Sequence, residues 1–308
     1  MKIALIGRTS MLMKTADLLM SNGFEIGAVI TSPAAPEYSI TEKDYEKLAN
    51  SLNVYYACTT KINYIVDDLN SLNCDIGVSM NYSSTISKDV VNCFNLGILN
   101  AHLGDLPRYR GNATPNWAII NGEQNIPLCI QYMIGGELDS GDIIGKEYKK
   151  IDISTKIGEI YDWAEEVTPK LYLDVLNKIK EDNSYRLYEQ SKNKHDIIRC
   201  YPRLPEDSRI DWSKSNIDIL RLINASSKPF SGAYGFYDDK KIVFEDCQLF
   251  EDSELYYAIP GQVSEINKTE KYIVIITGNG KLKVSKIIVD GNECEPTEVI
   301  KSIRKRFK

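Results

Sequence analysis

The N-terminal residues contain two apolar strands and one helix in a pattern that leaves few choices of fold. Residues 2–7 (KIALIG) form an apolar run that ends at Gly7, and residues 25–31 (EIGAVIT) form a second run. The residues between them have the apolar spacing of an amphipathic helix that ends at Gly23. A strand, a helix and a strand joined by short links form a βαβ unit, which requires a parallel sheet. The sequence therefore predicts an α/β fold with a Rossmann-like, mainly parallel sheet.

Composition and charge exclude several other classes of protein. The chain of 308 residues is long enough for two domains, and its 43% hydrophobic content is typical of globular proteins. No apolar stretch reaches 18 residues, so no membrane span is predicted. The seven cysteines are dispersed without a CxxC pair, which predicts a reducing cytoplasm and no zinc site. The net charge of −6 disfavours nucleic acid as the main partner.

The turn after the first strand argues against a dinucleotide cofactor. The sequence Gly7-Arg8-Thr9-Ser10 lacks the second and third glycines of the G-x-G-x-x-G motif. The most informative polar residues lie instead in residues 96–123, where an apolar strand ends with Asn100 and His102. Residues two apart in a strand share a face, and open α/β sheets bind ligands at the carboxyl ends of their strands. The sequence therefore predicts a site at this strand end.

His102 is one of only two histidines in the chain, and a buried, backbone-bonded histidine is an equal alternative on residue type alone. A second glycine-rich turn, GGELDSGDII, follows with Asp139 and Asp142. An amide, an imidazole and a carboxylate at strand ends and turns can form one acyl-transfer site. Asparagine and histidine can hold a developing oxyanion, while a carboxylate orients the imidazole. Asp142 fits a cap within the turn, so Asp139 is the predicted site carboxylate.

The segment N-A-H-x-x-x-L-P-x-x-R-G, followed by L-D-S-G-D, resembles the 10-formyltetrahydrofolate-dependent formyltransferases. That family includes methionyl-tRNA formyltransferase, glycinamide ribonucleotide transformylase and the nucleotide-sugar N-formyltransferases. The resemblance implies a catalytic triad of Asn100, His102 and Asp139, with 10-formyltetrahydrofolate as co-substrate and no metal. It implies that Asn100 and His102 hold the formyl oxygen, that His102 accepts the proton of the amine, and that Asp139 orients His102.

The resemblance also implies binding residues. The folate would lie at the strand end formed by Met80, Asn81, Tyr82 and Ser83, mostly against backbone groups, and near Asp142. Tyr82 is equally well explained as a packed aromatic whose hydroxyl is hydrogen-bonded. The predicted substrate-binding residues are Arg8, Arg110 and Asn112, although Asn112 stands where some sugar-modifying relatives have arginine. A salt bridge is the alternative for Arg110.

The acceptor is predicted to be a nucleotide-linked amino sugar of surface-glycan (lipopolysaccharide) biosynthesis. In the tRNA formyltransferases the loop matching residues 33–44 is longer and basic, whereas here it contains Glu37, Glu42 and Asp44 against one lysine, Lys43. A plain surface connection without a functional role is the alternative for this loop. Trp117 lies in a segment more similar to the sugar enzymes. Methionyl-tRNA formyltransferase is the main alternative, and a formate-releasing hydrolase or a non-catalytic binding protein are the others. The resemblance further predicts a homodimer.

The chain is predicted to divide into a catalytic domain (residues 1–182), a linker (183–206) and a small C-terminal OB-like β-barrel domain (207–308). A helix over residues 154–180, which Pro169 is expected to bend or split, closes the first domain. His195 is predicted to be exposed in the linker. Four or five short strands, at residues 233–238, 240–249, 261–267, 271–277 and 281–289, indicate the barrel. The basic composition of residues 301–308 (KSIRKRFK) predicts a frayed, solvated helix end, and an RNA contact explains these residues equally well.

Overall fold

The chain forms two compact units in the computed structural model, which describes residues 1–308. The first unit contains residues 1–114, 125–149 and 160–201, and the second contains residues 115–124, 150–159 and 202–308. The strands are β1 (Lys2–Gly7), β2 (Glu25–Thr31), β3 (Tyr55–Cys58), β4 (Ile76–Met80), β5 (Ile98–His102), β6 (Tyr109–Gly111), β7 (Asn125–Tyr132), β8 (Ile143–Lys150), β9 (Ile198–Cys200), β10 (Ala233–Tyr237), β11 (Lys240–Phe250), β12 (Val263–Asn267), β13 (Tyr272–Ile276), β14 (Lys281–Val289) and β15 (Asn292–Cys294). The helices are α1 (Ser10–Ser21), α2 (Glu42–Leu52), α3 (Val66–Ser71), α4 (Lys88–Asn92), α5 (Thr114–Asn121), α6 (Ile157–Glu181), α7 (Asn216–Ser226) and α8 (Pro296–Val299).

Seven strands form one sheet in the order β3-β2-β1-β4-β5-β7-β8. The first five strands of this order pair in parallel, and β7 pairs antiparallel with β5. Parallel neighbours need a crossover connection, which α1 supplies between β1 and β2. The predicted α/β fold with a mainly parallel sheet is confirmed. None of the helices combines the length and the apolar composition that a bilayer crossing requires.

Local sequence determines where α1 begins and how α6 packs. The side chain of Thr9 accepts a hydrogen bond from the backbone N–H of Leu12 (3.3 Å) and so caps α1. On α6, Tyr172 is fully buried, and its hydroxyl donates to the carbonyl oxygen of Ser79 (2.6 Å). This bond ties α6 to β4, and the apolar residues of α1 and α6 fill one face of the sheet in a single core. Pro169 lies inside α6, where it is predicted.

Residues 183–206 are predicted to be a linker, whereas the structure places residues up to Tyr201 in the first unit. In this segment β9 pairs in parallel with β6, and Tyr188 forms a β-bridge with Ile143. These contacts are made by the backbone, and the polar side chains of the segment give no sign of them. His195 is exposed, as predicted.

The second unit contains an antiparallel sheet in the order β10-β11-β14-β13-β12, with β15 paired to β14. The five strands predicted between residues 233 and 289 are present within two residues of their expected bounds. Ser215 caps α7 by accepting a hydrogen bond from the backbone N–H of Asp218 (3.1 Å). The predicted separate C-terminal β domain is confirmed.

Residues 301–308 are not the frayed helix end that their basic composition predicts. Phe307 is 2% exposed. Its ring centroid lies 5.3 Å from that of Trp212, 5.1 Å from that of Tyr237 and 5.4 Å from that of Phe244. The prediction was wrong because it weighed five cations and overlooked the one aromatic side chain that the core accommodates.

Backbone hydrogen bonds of the same segment connect β12 and β10, the two outer strands of the sheet. The N–H of Phe307 donates to the carbonyl of Gly261 (2.8 Å), next to β12. Lys308 exchanges both backbone hydrogen bonds with Phe236 of β10 (2.9 and 3.0 Å). The C-terminal residues therefore close the sheet of the second unit, and the cations of the segment project from an ordered backbone.

Burial makes Cys129 of β7 chemically inert. It is fully buried, and burial raises the pKa of its thiol to about 12, so at pH 8 roughly one molecule in 10⁴ has the thiolate. Cys58 is exposed. We expect iodoacetamide at pH 8 to label Cys58 well before Cys129 in the native protein, measured by peptide mass spectrometry. Labelling in denaturant, where both cysteines should react, is the control; equal native rates would contradict the burial.

Candidate active site

The end of β5 presents a row of polar side chains on one face of the sheet. In the register of the sheet, Asn100 lies beside Ser79 of β4 and Gln131 of β7. Register partners point to the same face, and His102, two residues further along β5, shares that face with Asn100. The strand end predicted to hold the site therefore brings four polar residues together.

Two groups of this row have no partner within the protein. The side-chain amide of Asn100 is half-buried and makes no hydrogen bond. The hydroxyl of Ser79 is fully buried and is also unpaired. Buried polar atoms in folded proteins are nearly always hydrogen-bonded. Two unpaired groups side by side therefore fit a site that a polar group of a bound molecule completes.

His102 is buried, with 8% of its side chain exposed, and both ring nitrogens face acceptors. Nε2 lies 2.7 Å from the carbonyl oxygen of Tyr109. A carbonyl oxygen only accepts, so Nε2 donates and Nδ1 is the nitrogen that can take up a proton. Nδ1 faces Oδ2 of Asp139 at 3.6 Å. Gly104 makes this arrangement possible, because a Cβ there would lie 2.5 Å from Nε2.

Asp139 adopts a left-handed backbone conformation (φ 48°) in the turn before β8. Its carboxylate is 9% exposed and is fixed at both oxygens. Oδ2 accepts a hydrogen bond from the backbone N–H of Gly111 (2.9 Å), and Oδ1 accepts one from Nε2 of Gln131 (2.8 Å). Asp139 is thus held next to His102. The ring of His102 is oriented by its hydrogen bond to the Tyr109 carbonyl, and this carboxylate lies 3.6 Å from Nδ1.

The predicted folate-binding residues lie at the end of β4 with different surroundings. Met80 is 1% exposed and belongs to the core, while Asn81 is exposed and has a left-handed backbone (φ 53°). The hydroxyl of Tyr82 donates to the carbonyl of Thr59, so this residue is the packed aromatic of the alternative interpretation. The backbone N–H groups of Tyr82 and Ser83 make no hydrogen bond in the protein. The loop therefore offers backbone donors, which fits a heterocycle held by backbone groups.

Three further predicted binding residues contact protein groups. The carboxylate of Asp142 lies 3.8 Å from Nε of Arg186. Arg110 donates from Nη2 to Gln190 (2.9 Å), and burial lowers the pKa of its guanidinium. Asn112 is exposed, and its backbone N–H is bonded within the first unit. No group of three or more His, Cys, Asp or Glu side chains is arranged to hold a metal ion.

Arg8 joins the folate-side strand end to the loop after β2. Its Nε donates to the carbonyl of Asn81 (3.0 Å) and its Nη1 to the carbonyl of Pro33 (2.9 Å). The guanidinium also lies over the ring of Tyr38, 5.4 Å from the centroid. These hydrogen bonds use two of the five N–H donors of the guanidinium. Arg8 therefore connects the two loops without using all of its donors.

The acidic residues after β2 have structural partners as well. Asp44 accepts a hydrogen bond from the backbone N–H of Thr41 (2.9 Å), which lowers the pKa of its carboxyl. Glu42 accepts one from the N–H of Ala34 (3.2 Å). Asp44 therefore caps the start of α2, and Glu42 holds the backbone of the loop after β2. Residues 32–41 of this loop contain one charged side chain, Glu37, and no cation.

Two site residues were missed from the sequence. Gln131 could have been found, because alternation along the apolar strand β7 places a polar side chain on the Asn100 face. Gln190 gave no signal, since it lies among polar residues in the predicted linker. Both are buried, at 2% and 5% exposure.

Comparison with protein families decides the class of the enzyme. A model described as formyl transferase matches residues 1–176, and a model described as formyl transferase, C-terminal domain, matches residues 204–304. The chain belongs to the formyl transferase family. The formyltransferase predicted from the central motif is thereby confirmed.

Relatives of this formyltransferase differ in the acceptors that their names state. A methionyl-tRNA formyltransferase of Alkaliphilus oremlandii is 28% identical over 299 residues, covering 95% of this chain and 93% of that protein. The structure of the N-formyltransferase from Helicobacter canadensis in complex with folinic acid and dTDP-3-aminofucose has a TM-score of 0.68 at 17% identity, covering 92% of this chain and 98% of that one. HypX from Aquifex aeolicus in complex with tetrahydrofolic acid has a TM-score of 0.63 at 17% identity, covering 97% of this chain. This chain spans 46% of the length of HypX. At these identities the solved structures show the shared fold alone.

Proposed function

We propose that this formyltransferase moves the formyl group of 10-formyltetrahydrofolate to the amino group of a nucleotide-linked amino sugar, such as a dTDP- or UDP-4-amino-4,6-dideoxyhexose, for a surface glycan. The observation that carries the choice of acceptor is the loop of residues 32–41, which contains Glu37 and no lysine or arginine. A tRNA acceptor needs clustered cations for its phosphates. The relatives bound to tetrahydrofolic acid and folinic acid support the co-substrate.

The geometry supports a defined role for each triad residue. The amine attacks the formyl carbon, and the bond from this carbon to N10 of the folate then breaks. The unpaired amide of Asn100 would donate to the formyl oxygen as it becomes an oxyanion, and the Ser79 hydroxyl is its neighbour. Nδ1 of His102 would accept the proton that the amine loses and return it to N10 as the bond from the formyl carbon to N10 breaks. The Asp139 carboxylate, 3.6 Å away, would stabilise the resulting imidazolium.

Formylation of methionyl-tRNA is the second candidate, and two observations favour it. The relative from Alkaliphilus oremlandii matches 95% of this chain. In the second unit, a groove is lined by Arg209, Arg306 and Lys308. Cations fixed on an ordered backbone are the type of surface that binds nucleic acid phosphates. The loop without cations in the first unit and this groove in the second unit therefore favour different acceptors.

An acceptor screen distinguishes the two candidates. The enzyme is incubated with 10-formyltetrahydrofolate and, in separate reactions, dTDP- and UDP-linked amino sugars or initiator methionyl-tRNA. Mass spectrometry measures a mass gain of one CO. We expect a formylated nucleotide sugar and unmodified tRNA, because the loop of residues 32–41 lacks the cations for a tRNA acceptor.

The remaining outcomes of the screen are equally informative. Formylated tRNA would overturn the sugar proposal and transfer the function to the second candidate. Formate released without any amine would indicate a hydrolase that uses water as the acceptor. A reaction without enzyme controls for spontaneous formylation, and no product with any acceptor would contradict both candidates.

We place the reaction in the cytoplasm, where the seven free cysteines stay reduced. The homodimer expected from the resemblance to sugar formyltransferases stays a prediction. Light scattering coupled to size-exclusion chromatography measures it directly.

A further inference from the structure

A continuous set of hydrogen bonds leads from the triad aspartate to a residue far along the chain. Gln131 donates from Nε2 to Oδ1 of Asp139 (2.8 Å), and Gln190 donates from Nε2 to Oε1 of Gln131 (3.1 Å). Arg110 then donates from Nη2 to Oε1 of Gln190 (2.9 Å). We call these four residues the Gln190 network. Since Gln131 and Gln190 are buried, water does not compete for these bonds.

The two ends of the Gln190 network fix the direction of every bond in it. The carboxylate of Asp139 only accepts hydrogen bonds, so the amide nitrogen of Gln131 must face it. The guanidinium of Arg110 only donates, so the amide oxygen of Gln190 must face it. Each glutamine has therefore one possible orientation. All donors of the network therefore point along it toward Asp139.

Gln190 also holds the backbone of the turn in which Asp139 lies. Its Nε2 is 3.0 Å from the carbonyl oxygen of Asp139 and 2.6 Å from that of Gly141. Asp139 has a positive φ of 48°, a conformation that side-chain-bearing residues adopt at a cost and that surrounding contacts must maintain. The amide nitrogen has two hydrogens, which the oxygens of Gln131, Asp139 and Gly141 share. This one group therefore contacts the backbone of Asp139 and also the residue that holds its carboxylate.

We propose that Gln190 is a positioning residue of the formyltransferase site, which acts through Asp139 and does not touch the substrate. The proposal rests on the formyl-transfer function given above. With Gln131 on Oδ1 and Gly111 on Oδ2, the carboxylate has one orientation, and Oδ2 faces Nδ1 of His102. Without Gln190, the amide of Gln131 loses the hydrogen bond that orients it. Asp139 then loses a hydrogen bond to its backbone carbonyl, and its carboxylate is no longer held in one orientation.

Kinetics of two Gln190 variants test this role. Gln190→Ala removes the amide, and Gln190→Glu keeps the shape and the contact with Arg110 while facing two carbonyl oxygens without a donor. We expect both variants to lower kcat about 10-fold. The KM values for 10-formyltetrahydrofolate and for the amine should stay within about two-fold of wild type, because the substitutions disturb the orientation of the triad and not the binding of substrate. A Gln190→Glu variant with wild-type kcat would show that Gln190 only fills space, and would overturn the proposal. Glu189→Ala, an exposed neighbour, is the matched control.

A double-mutant cycle separates action through Asp139 from a general loss of packing. In an Asp139→Ala background, Gln190→Ala should lower kcat by less than about two-fold, since the residue through which it acts is gone. A full 10-fold loss in that background would contradict the proposal. Gln190→Met, which fills a similar volume without hydrogen bonds, replaces Gln190→Ala if that variant lowers the melting temperature.

A spectroscopic measurement makes the test independent of the acceptor. The chain contains two histidines, so ¹⁵N-histidine labelling gives one imidazole signal set for His102 and one for the exposed His195. We expect Gln190→Ala and Gln190→Glu to shift the signals of His102 and to leave those of His195 unchanged. Unchanged His102 signals would overturn the positioning role, whatever happens to kcat. Failure of the wild-type enzyme to formylate any acceptor would instead overturn the proposed function, and the His102 signals would still report on the network.

Discussion

An Asn100→Ala variant is expected to keep its fold and to lose kcat by a factor on the order of 10² to 10³, the usual effect of removing one oxyanion donor. The amide of Asn100 has no partner within the protein, so its removal breaks no hydrogen bond of the folded state. KM for the amine should change little, since the donor acts on charge that develops only in the transition state. Initial rates of formylated product, measured by mass spectrometry under saturating substrates, give both constants.

Two further variants make this prediction specific. Asn95→Ala removes an exposed asparagine just before β5 and should leave kcat unchanged. Asn100→Asp keeps the size of the side chain but replaces the donor by a carboxylate, which repels an oxyanion, so it should be at least as impaired as Asn100→Ala. A turnover within a few-fold of wild type in either Asn100 variant would remove Asn100 from the triad.

The sheet and the strand-end residues could be predicted because their signals are local. The βαβ unit is specified by apolar periodicity within residues 2–31, and alternation alone places Asn100 and His102 on one face of β5. The strands of the second unit were located in the same way, from short apolar runs between turns. In each case the information lies within one element and its immediate neighbours.

Gln190 shows where such local inference ends. It lies 51 residues after Asp139 in a polar segment, and nothing in its neighbours indicates that it is buried. Its place is determined by backbone pairing of β9 with β6 and by the β-bridge of Tyr188 with Ile143. Backbone hydrogen bonds of this kind are independent of side-chain pattern, so the sequence offers no periodicity from which to infer them.

The loop after β2 shows a second limit, which concerns charge. Glu42 and Asp44 look in the sequence like a surface that repels an anionic acceptor. In the structure both carboxylates accept backbone hydrogen bonds, Asp44 from Thr41 at the start of α2 and Glu42 from Ala34 in the loop. A carboxylate that caps a helix and one that faces a ligand have the same appearance in a sequence. The absence of lysine and arginine from residues 32–41 is the part of the argument that the structure leaves unchanged.

Truncation of the buried C-terminal aromatic is expected to have the largest effect on stability. Phe307→Ala should lower the free energy of unfolding of the second unit by about 3–5 kcal/mol, the usual cost of removing a buried phenylalanine ring. The ring is 2% exposed and fills the space between Trp212, Tyr237 and Phe244. Urea unfolding can be followed through Trp212, whose ring lies 5.3 Å from Phe307, in a variant with the other two tryptophans replaced by phenylalanine.

Arg304→Ala is the matched control for Phe307→Ala, because it removes an exposed cation from the same segment without opening a cavity. Its free energy of unfolding should stay within about 0.5 kcal/mol of the parent. If residues 301–308 were the solvated helix end expected from composition, the two substitutions would have equally small effects. A large difference between them shows that the segment closes the sheet of the second unit. The backbone next to Phe307 is then held in place, so Arg306→Ala removes one cation of the groove without unfolding the protein. This variant tests whether that cation contributes to tRNA formylation.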